Sequence, residues 1–350
     1  MMMASPNRLA STLLLAASLG MLCQCKPAST PVTTEVKPPV QASAPASDDA
    51  AAVAAEAPAA EFTPRARPKS RLEPGVFTFM SYNLKNYLTM ERGSKDSPKP
   101  EREIKALVNM IADVKPDLLG VCEVGTLEDL KDLQARLKAA GVDLPHAELC
   151  DGADAVRNLG LLGKFPVIAR DHQTTLSYTL AGASMPFQRG ILDVTIEPVP
   201  GYQLRLLGTH LKSKRQTEQG DETEMRRNES RLLRKHIEAI VAAKPDTNLL
   251  VYGDLNDTKN TDVIMELRGK EGRPDHLYDL WARDRFGFTW THYWITADEY
   301  ARIDYILYSK PLAPEILKQD SYIHHAPEWF TASDHRPIVV RIKPVDVTPK

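Results

Sequence analysis

Short apolar runs that end in a chemically capable polar residue recur along this chain. That pattern limits its folds more than any other feature. Asn83 closes VFTFMSYN, Glu123 closes DLLGVCE and His210 closes LRLLGTH. Asp254 and Asn256 follow NLLVYG, Asp304 lies in RIDYIL, and Asp334 and His335 stand just before PIVVRI. Strand ends converge along a sheet edge, so one cleft can collect the whole set.

The runs predict strands over Val76–Asn83, Asp117–Glu123, Leu159–Ile168, Ile191–Ile196, Leu204–His210, Asn248–Gly253, Ile303–Tyr308 and Pro337–Ile342. Helical periodicity separates some of them. After Pro98 and Pro100, the residues Ile104, Leu107, Val108 and Ile111 share one face, and Pro116 ends that region. Thr126 and Asp129 predict a capping box ahead of Leu127, Leu130, Leu133 and Leu137. A polar helix is predicted from about Thr223 to Ala243, with Met225, Leu232, Leu233, Ile237 and Ile240 as its apolar positions. Elsewhere the strands have hairpin-like spacing. The class is α/β, as two packed sheets flanked by helices. A parallel dinucleotide-binding sheet fits worse, because no glycine-rich loop follows the first strand.

Composition marks off the ends. Residues 1–25 read as an export signal: Arg8 is the only charge before a run from Leu9 to Leu22 that is short for a bilayer span. Cys23 and Cys25 follow, which resembles a bacterial lipoprotein signal and makes either one a candidate lipid anchor, although Leu22 stands where a small residue is usual. Simple secretion and a retained membrane anchor are the alternatives. Residues 26–74 hold nine prolines and little to bury, so they read as a linker. The folded domain is expected over 75–343, with a tail at 344–350. The expected location is exported: periplasmic, tethered to the outer membrane or extracellular. Of the four cysteines only Cys122 and Cys150 fall in the domain, either as a disulfide or as two free thiols.

The chain carries 44 basic and 46 acidic residues. That balance argues against holding nucleic acid by bulk charge, yet it permits an enzyme with a local cationic patch. Glu123 and Asp334 can supply carboxylates to a hard cation, with Asn83, Asp254 and Asn256 adding oxygens or orienting water. Magnesium suits such a sparse oxygen set, with manganese and calcium as alternatives. Zinc fits less well, since no HExxH element or His/Cys cluster is present. His335 can move a proton or polarise a phosphoryl oxygen, and Asp304 is a natural partner for its other ring nitrogen. His210, Arg189, Lys212, Lys214 and Arg215 are candidate phosphate contacts.

Each residue also has a plainer reading. Glu123 can be a loop acid, and Asp254 with Asn256 can form a turn. Asp304 can pair with Arg302, His210 can be packed, and Lys212–Arg215 can be a solvated loop. Asn83 can tie down a turn, and Asp334-His335 can be a polar cap. The aromatics Trp281, Phe286, Phe288, Trp290, Tyr293 and Trp294 can stack a base, meet a lipid headgroup or serve as core.

Taken in order, SYNLKNY (Ser81–Tyr87), PDLLGVCEV (Pro116–Val124), LGLLGKFPV (Leu159–Val167), THLKSKR (Thr209–Arg215), VYGDLND (Val251–Asp257), RIDYIL (Arg302–Leu307) and SDHRPIVV (Ser333–Val340) resemble the endonuclease/exonuclease/phosphatase superfamily, also called deoxyribonuclease-I-like. The resemblance implies a four-layer α/β sandwich with two central mixed sheets and a cleft at one edge. It implies that Glu123 is a metal ligand, helped by Asn83 and joined by Asp334. It further implies that Asp254 and Asn256 orient water and the phosphoryl group, and that His335 is catalytic and paired with Asp304. His210 stands where some members carry a second histidine, and Arg189 resembles a phosphate-contacting arginine. Cys122 departs from the pattern, standing where a glutamine is common.

The implied chemistry is in-line hydrolysis of a phosphoester, with His335 or Asp254 accepting the proton from water. The first expectation is a nuclease or related phosphodiesterase acting on DNA, RNA or another phosphodiester. A phosphomonoesterase or phospholipase C-like enzyme is the second, and a noncatalytic surface binding module on the same fold is the third. Nothing in the sequence indicates a protein partner, and a monomer is expected.

Overall fold

The computed structural model describes residues 75–92 and 94–345. The expected export signal, the candidate lipid-anchor cysteines and the expected linker lie outside the described residues. Among the described residues, no helix is long and apolar enough to cross a membrane.

Two six-stranded mixed sheets form the centre. From edge to edge the first runs Tyr322–Ile323, Ile338–Ile342, Phe77–Tyr87, Leu118–Val124, Asn158–Gly163, His146–Cys150. The second runs Tyr278–Asp279, Asp304–Tyr308, Leu249–Asp254, Tyr202–His210, Ile191–Val199, Val167–Arg170. Each sheet has one parallel pair at its middle, Phe77–Tyr87 with Leu118–Val124 and Tyr202–His210 with Leu249–Asp254. A parallel pair needs a crossover, supplied by the helices Glu101–Val114 and Glu222–Ala243. Parallel strands also bring their C-terminal ends to the same sheet edge.

Strand alternation assigns each side chain to a layer. On the first sheet Phe77, Phe79, Leu118 and Cys122 join Leu204, Leu206, Leu250, Tyr252 and Ile306 of the second in one core between the sheets. Met80, Tyr82, Leu119 and Val121 turn outward onto the helices Glu101–Val114 and Leu127–Ala139. Leu207, Val251, Tyr305 and Leu307 turn outward onto Glu222–Ala243 and Asp262–Arg268. The result is helix, sheet, sheet, helix. Thr126 caps its helix by accepting from the Asp129 N–H, while the Asp129 carboxylate accepts in return from the Thr126 N–H.

The run Leu159–Ile168 is not one strand. Asn158–Gly163 belongs to the first sheet and Val167–Arg170 to the second. Pro166 has no N–H for a ladder, and the chain changes sheets across the corner that Lys164 anchors to Asp117 through its backbone and its ammonium. Alternation alone cannot reveal such a corner, because both halves are apolar. Cys122 and Cys150 are free thiols. Both pair with Leu159 from opposite sides, so a whole strand separates them. Twice the interstrand spacing, roughly 9.5 Å, exceeds what a disulfide spans.

Tyr252 sets how the sheets mate. It projects from the second sheet, meets Phe79 of the first edge-on at 4.8 Å between ring centroids, and lies over Gly120. A Cβ on Gly120 would come within 2.2 Å of the Tyr252 ring. Gly120→Ala should therefore lower stability by about 1–3 kcal/mol, the cost of overpacking a filled core. In urea unfolding the Gly120→Ala/Tyr252→Leu double variant should lose clearly less than the sum of the single losses, and strict additivity would reject the steric account.

Candidate active site

The rows of the core between the sheets become polar at one end. Phe77, Phe79 and Ser81 lead to Asn83; Leu204, Leu206 and Gly208 lead to His210; Leu250 and Tyr252 lead to Asp254; Tyr308 and Ile306 lead to Asp304. His210 pairs in register with Asp254, and Asp254 with Asp304, so these three stand side by side on one face. All three are buried.

Asn83 joins the two sheets at this edge. Its amide donates to Asp254 Oδ2 at 3.1 Å and to Glu123 Oε1 at 3.4 Å, while its carbonyl accepts from the Lys85 N–H. Glu123 sits where the register with the Asn158–Gly163 strand shifts, between Cys122 and Val124. Its φ of 63° lies in the left-handed region, a strained setting for glutamate. The irregularity turns its carboxylate to the rim, where Oε2 accepts from the Asn86 N–H at 3.0 Å. Asn256, also left-handed at φ 51°, donates through its amide to the Leu211 carbonyl, and its backbone N–H donates to Asp254 Oδ1. Gly253, at φ 134°, allows this turn; a Cβ there would lie 1.9 Å from the Thr209 carbonyl oxygen.

His335 is fixed from several sides. Its Nδ1 lies 2.8 Å from Asp304 Oδ2, and its Nε2 faces Asp254 at 3.7 Å and Asp334 at 4.0 Å. The Ser333 hydroxyl accepts from the His335 N–H and donates to the Asn83 carbonyl, binding the last strand to the first. The buried Thr291 hydroxyl accepts from the N–H groups of Ile303 and Asp304. Arg302 takes Asp279 as its partner, leaving Asp304 to the imidazole.

The two imidazoles shift in opposite directions. For His335 burial disfavours the charged ring, but Asp304, Asp254 and Asp334 outweigh it and raise the pKa to about 10. For His210 burial and the charges of Arg189 and His335 act together, holding it well below the usual histidine range. Burial, then the charge of Asp304, pushes Asp254 up to about 7 against the pull of His335.

The expected phosphate-binding residues divide. Arg189 is largely buried, pairs with Asp154 at 3.1 Å and acts electrostatically on His210. Lys212 differs from expectation: its ammonium donates to the carbonyls of Ser213 and Arg215 and closes its own loop. Arg215 is exposed, and among the described residues no hydrogen bond or ion pair joins its guanidinium to the cluster. Lys214 reaches Asp257, which also holds Arg226. Cys122 lies beneath the site, with its thiol donating to the Thr209 carbonyl at 3.5 Å.

Sequence reasoning passed over several residues here. Glu229, fully buried on the helix Glu222–Ala243, accepts from the N–H groups of Lys212 and Gln188 and fastens both loops. Lys85 faces Asp334 at 3.9 Å. The ring of His292 lies 4.6 Å from that of His335. Only the hydroxyl of SDH and the basic residue in SYNLKNY offered a local hint of such roles.

Residues that could hold a divalent cation stand at the rim, where Glu123 and Asp334 are both half-exposed. Glu123 and Asp334 do not fall in one tight cluster: the close groups are Asp254, Asp304 and His335, and His292, Asp334 and His335.

A two-sheet sandwich with a carboxylate- and imidazole-lined edge defines a class of phosphoester hydrolases. Residues 80–335 match the model of the endonuclease/exonuclease/phosphatase family, and the chain belongs to that family. Its members hydrolyse phosphoester bonds and typically use a divalent metal. No curated protein sequence matches significantly. Among solved structures, truncated Caenorhabditis elegans TDP2 is similar at 18% identity and TM-score 0.52, over 77% of this chain and 98% of that one. The human Nocturnin catalytic domain is similar at 17% identity and TM-score 0.53, over 76% and 94%. A Bacteroides vulgatus endonuclease/exonuclease/phosphatase is similar at 16% identity and TM-score 0.54, over 77% and 99%. These likenesses show the fold.

The Asp304–His335 contact yields a kinetic prediction for a phosphodiester substrate such as bis-p-nitrophenyl phosphate. His335→Ala should lower turnover by roughly 10²–10⁴-fold, the range for acid–base participation. Asp304→Asn should lower it as well, and the double variant should lose much less than the product of the two. Multiplicative losses in folded variants would separate Asp304 from the imidazole.

Proposed function

We propose that the protein is a divalent-metal-dependent phosphodiesterase, an exported nuclease or a close relative of one. One observation carries this reading: a buried Asp304–His335–Asp254 chain stands beside an amide that bridges Asp254 to Glu123, within the family fold. Neither half is a common structural device. Structural carboxylates pair with Arg or Lys, whereas these converge on an imidazole and an amide at an open edge.

Glu123, Asp334 and Asn83 would hold the ion, with magnesium first and manganese or calcium as alternatives. When bound, it would neutralise charge developing on the phosphoryl oxygens. The remaining chemistry belongs to side chains. Asp304 fixes the orientation of the His335 ring, so Nε2 is the atom presented to substrate. With its pKa raised to about 10, His335 is protonated near neutrality and donates to a phosphoryl oxygen. Asp254, raised to about 7, is matched to accept a proton from attacking water at that pH. The neutral His210 lies 3.6 Å from Asp254 and helps hold it, while Asn256 shapes the turn. Arg189 adds positive potential at the His210 side.

An aromatic surface borders the site. Tyr293 stacks on Tyr300 at 4.4 Å and packs against Phe330, while Phe288, Trp294 and Tyr300 are exposed. Unpaired bases stack on such surfaces, which favours nucleic acid over a small phosphomonoester. Trp290 instead packs on Arg336 and Trp329, and the Trp281 ring is in contact with Lys259 and Arg302.

The full chain should hydrolyse DNA, RNA or bis-p-nitrophenyl phosphate with magnesium, lose that activity on exhaustive chelation, and weaken in metal response as Glu123→Gln. Turnover confined to inositol phosphates or sphingomyelin would replace the substrate assignment. Binding without turnover across the panel would leave a noncatalytic module. Export, with a lipid on Cys23 or Cys25, rests on the N-terminal sequence. Cell fractionation and intact mass should find a processed chain, and a soluble cytoplasmic chain starting at Met1 would reject export.

A further inference from the structure

We infer that His292 joins Asp334 and His335, two residues of the hydrolytic machinery, in a transition-metal site at the mouth of this cleft, one that takes zinc and silences the enzyme when filled. The silencing rests on the hydrolase reading; the binding does not.

One donor atom from each of the three residues lies within 4.8 Å of the others. The backbone holds them together. His292 and His335 face each other in an antiparallel bridge, the Tyr293 N–H donates to the Asp334 carbonyl at 3.0 Å, and the Arg336 N–H donates to the Thr291 carbonyl at 2.6 Å. The ligands therefore project from two segments already bonded to each other. Zinc binds nitrogen and oxygen at about 2.0–2.1 Å, so tetrahedral donors sit roughly 3.4 Å apart. Asp304 holds the His335 ring, so closing that gap falls to rotation of the half-exposed His292 and Asp334 side chains. His292 and Asp334 are half-exposed, which gives an ion entry from solvent and leaves a fourth position for water.

The donors decide which ion enters. Two imidazoles and one carboxylate suit zinc, whereas magnesium and calcium prefer oxygen alone. Donor count by itself is not enough. Asp171, Asp193 and His236 are equally close, but the Arg205 guanidinium already bridges both of their carboxylates. Among the described residues no such cation is locked into the His292 group. Lys85 faces Asp334 at 3.9 Å, yet its side chain is 41% exposed and can swing aside. Asp304 holds His335 Nδ1, so Nε2 is the atom left for an ion. Zinc binding to Nε2 displaces the proton held there, which is released to solvent, and so removes the proton that His335 would donate.

The test is a titration of the metal-free full chain with zinc against a chromogenic indicator, together with the visible spectrum of the cobalt-loaded chain. Wild type should bind one zinc in this site with a low-coordinate cobalt spectrum. His292→Ala and His292→Gln should weaken it by at least about 10²-fold, since even loss of a ligand's outer partner costs 10–100-fold. Without zinc, both variants should match wild-type hydrolysis with magnesium; stoichiometric zinc should stop wild type and spare them. Equal zinc affinity in folded wild type and variants would place the ion elsewhere and overturn the inference, as would a wild type that binds none. Binding is read without turnover. Loss of zinc binding in the variants of a chain that hydrolyses nothing would uphold the site and reject the hydrolase reading; intact hydrolysis with no zinc binding would do the reverse.

Discussion

A single side-chain amide, that of Asn83, spans the two sheets at the edge where the polar residues gather. It donates to Glu123 within its own sheet and to Asp254 across the gap. Both contacts depend on how closely the sheets approach and on their relative slide. The core between the sheets sets those quantities, through Tyr252 seated over Gly120 and against Phe79. The chemistry at the rim therefore depends on packing some residues away. A change of one methyl in the core would be felt there, because close-packed interiors transmit displacement.

Electrostatics follows from the same geometry. Asp254 and Asp304 adjoin because their strands pair in register, and mutual repulsion with burial would drive one of them neutral. His335 relieves that strain by lying between three carboxylates, which keeps its ring charged despite burial. His210, paired in register with Asp254, lies nearer to arginines and stays neutral. Both rings are buried, and the neighbouring charges decide whether burial is opposed or reinforced, a division of labour that suits one proton donor and one neutral contact.

Local backbone irregularity aims the remaining groups. Glu123 and Asn256 have left-handed φ values, as do Lys85 and Asn86. The first strand runs on past Asn83 through a register shift and brings the Asn86 N–H onto Glu123. Such strain is held in place by surrounding order and is concentrated at the cleft. Glu229 and the Lys212 ammonium perform a quieter task, fixing the loop after His210 from below and within.

Much of this was legible in the chain itself. Short apolar runs that end in Asn83, Glu123, His210 and Asp254, and one that begins at Asp304, mark strands whose polar end lies at an edge, and helical periodicity marks the helices between them. The capping box at Thr126 was equally local. Other features could not be read that way. The corner at Pro166 divides one apolar run between two sheets, and either assignment suits its hydrophobicity. The pairing of Asp304 with His335 rather than Arg302 depends on the register of strands far apart in sequence. Lys212 turns into its own loop, and His292 is brought against His335 by a backbone bridge that no spacing predicts. Sequence periodicity encodes which face a side chain takes, because that is decided by neighbours one or two residues away. Which side chains then meet is decided by sheet-on-sheet packing, whose partners are up to about 250 residues apart, as with Ser333 and Asn83.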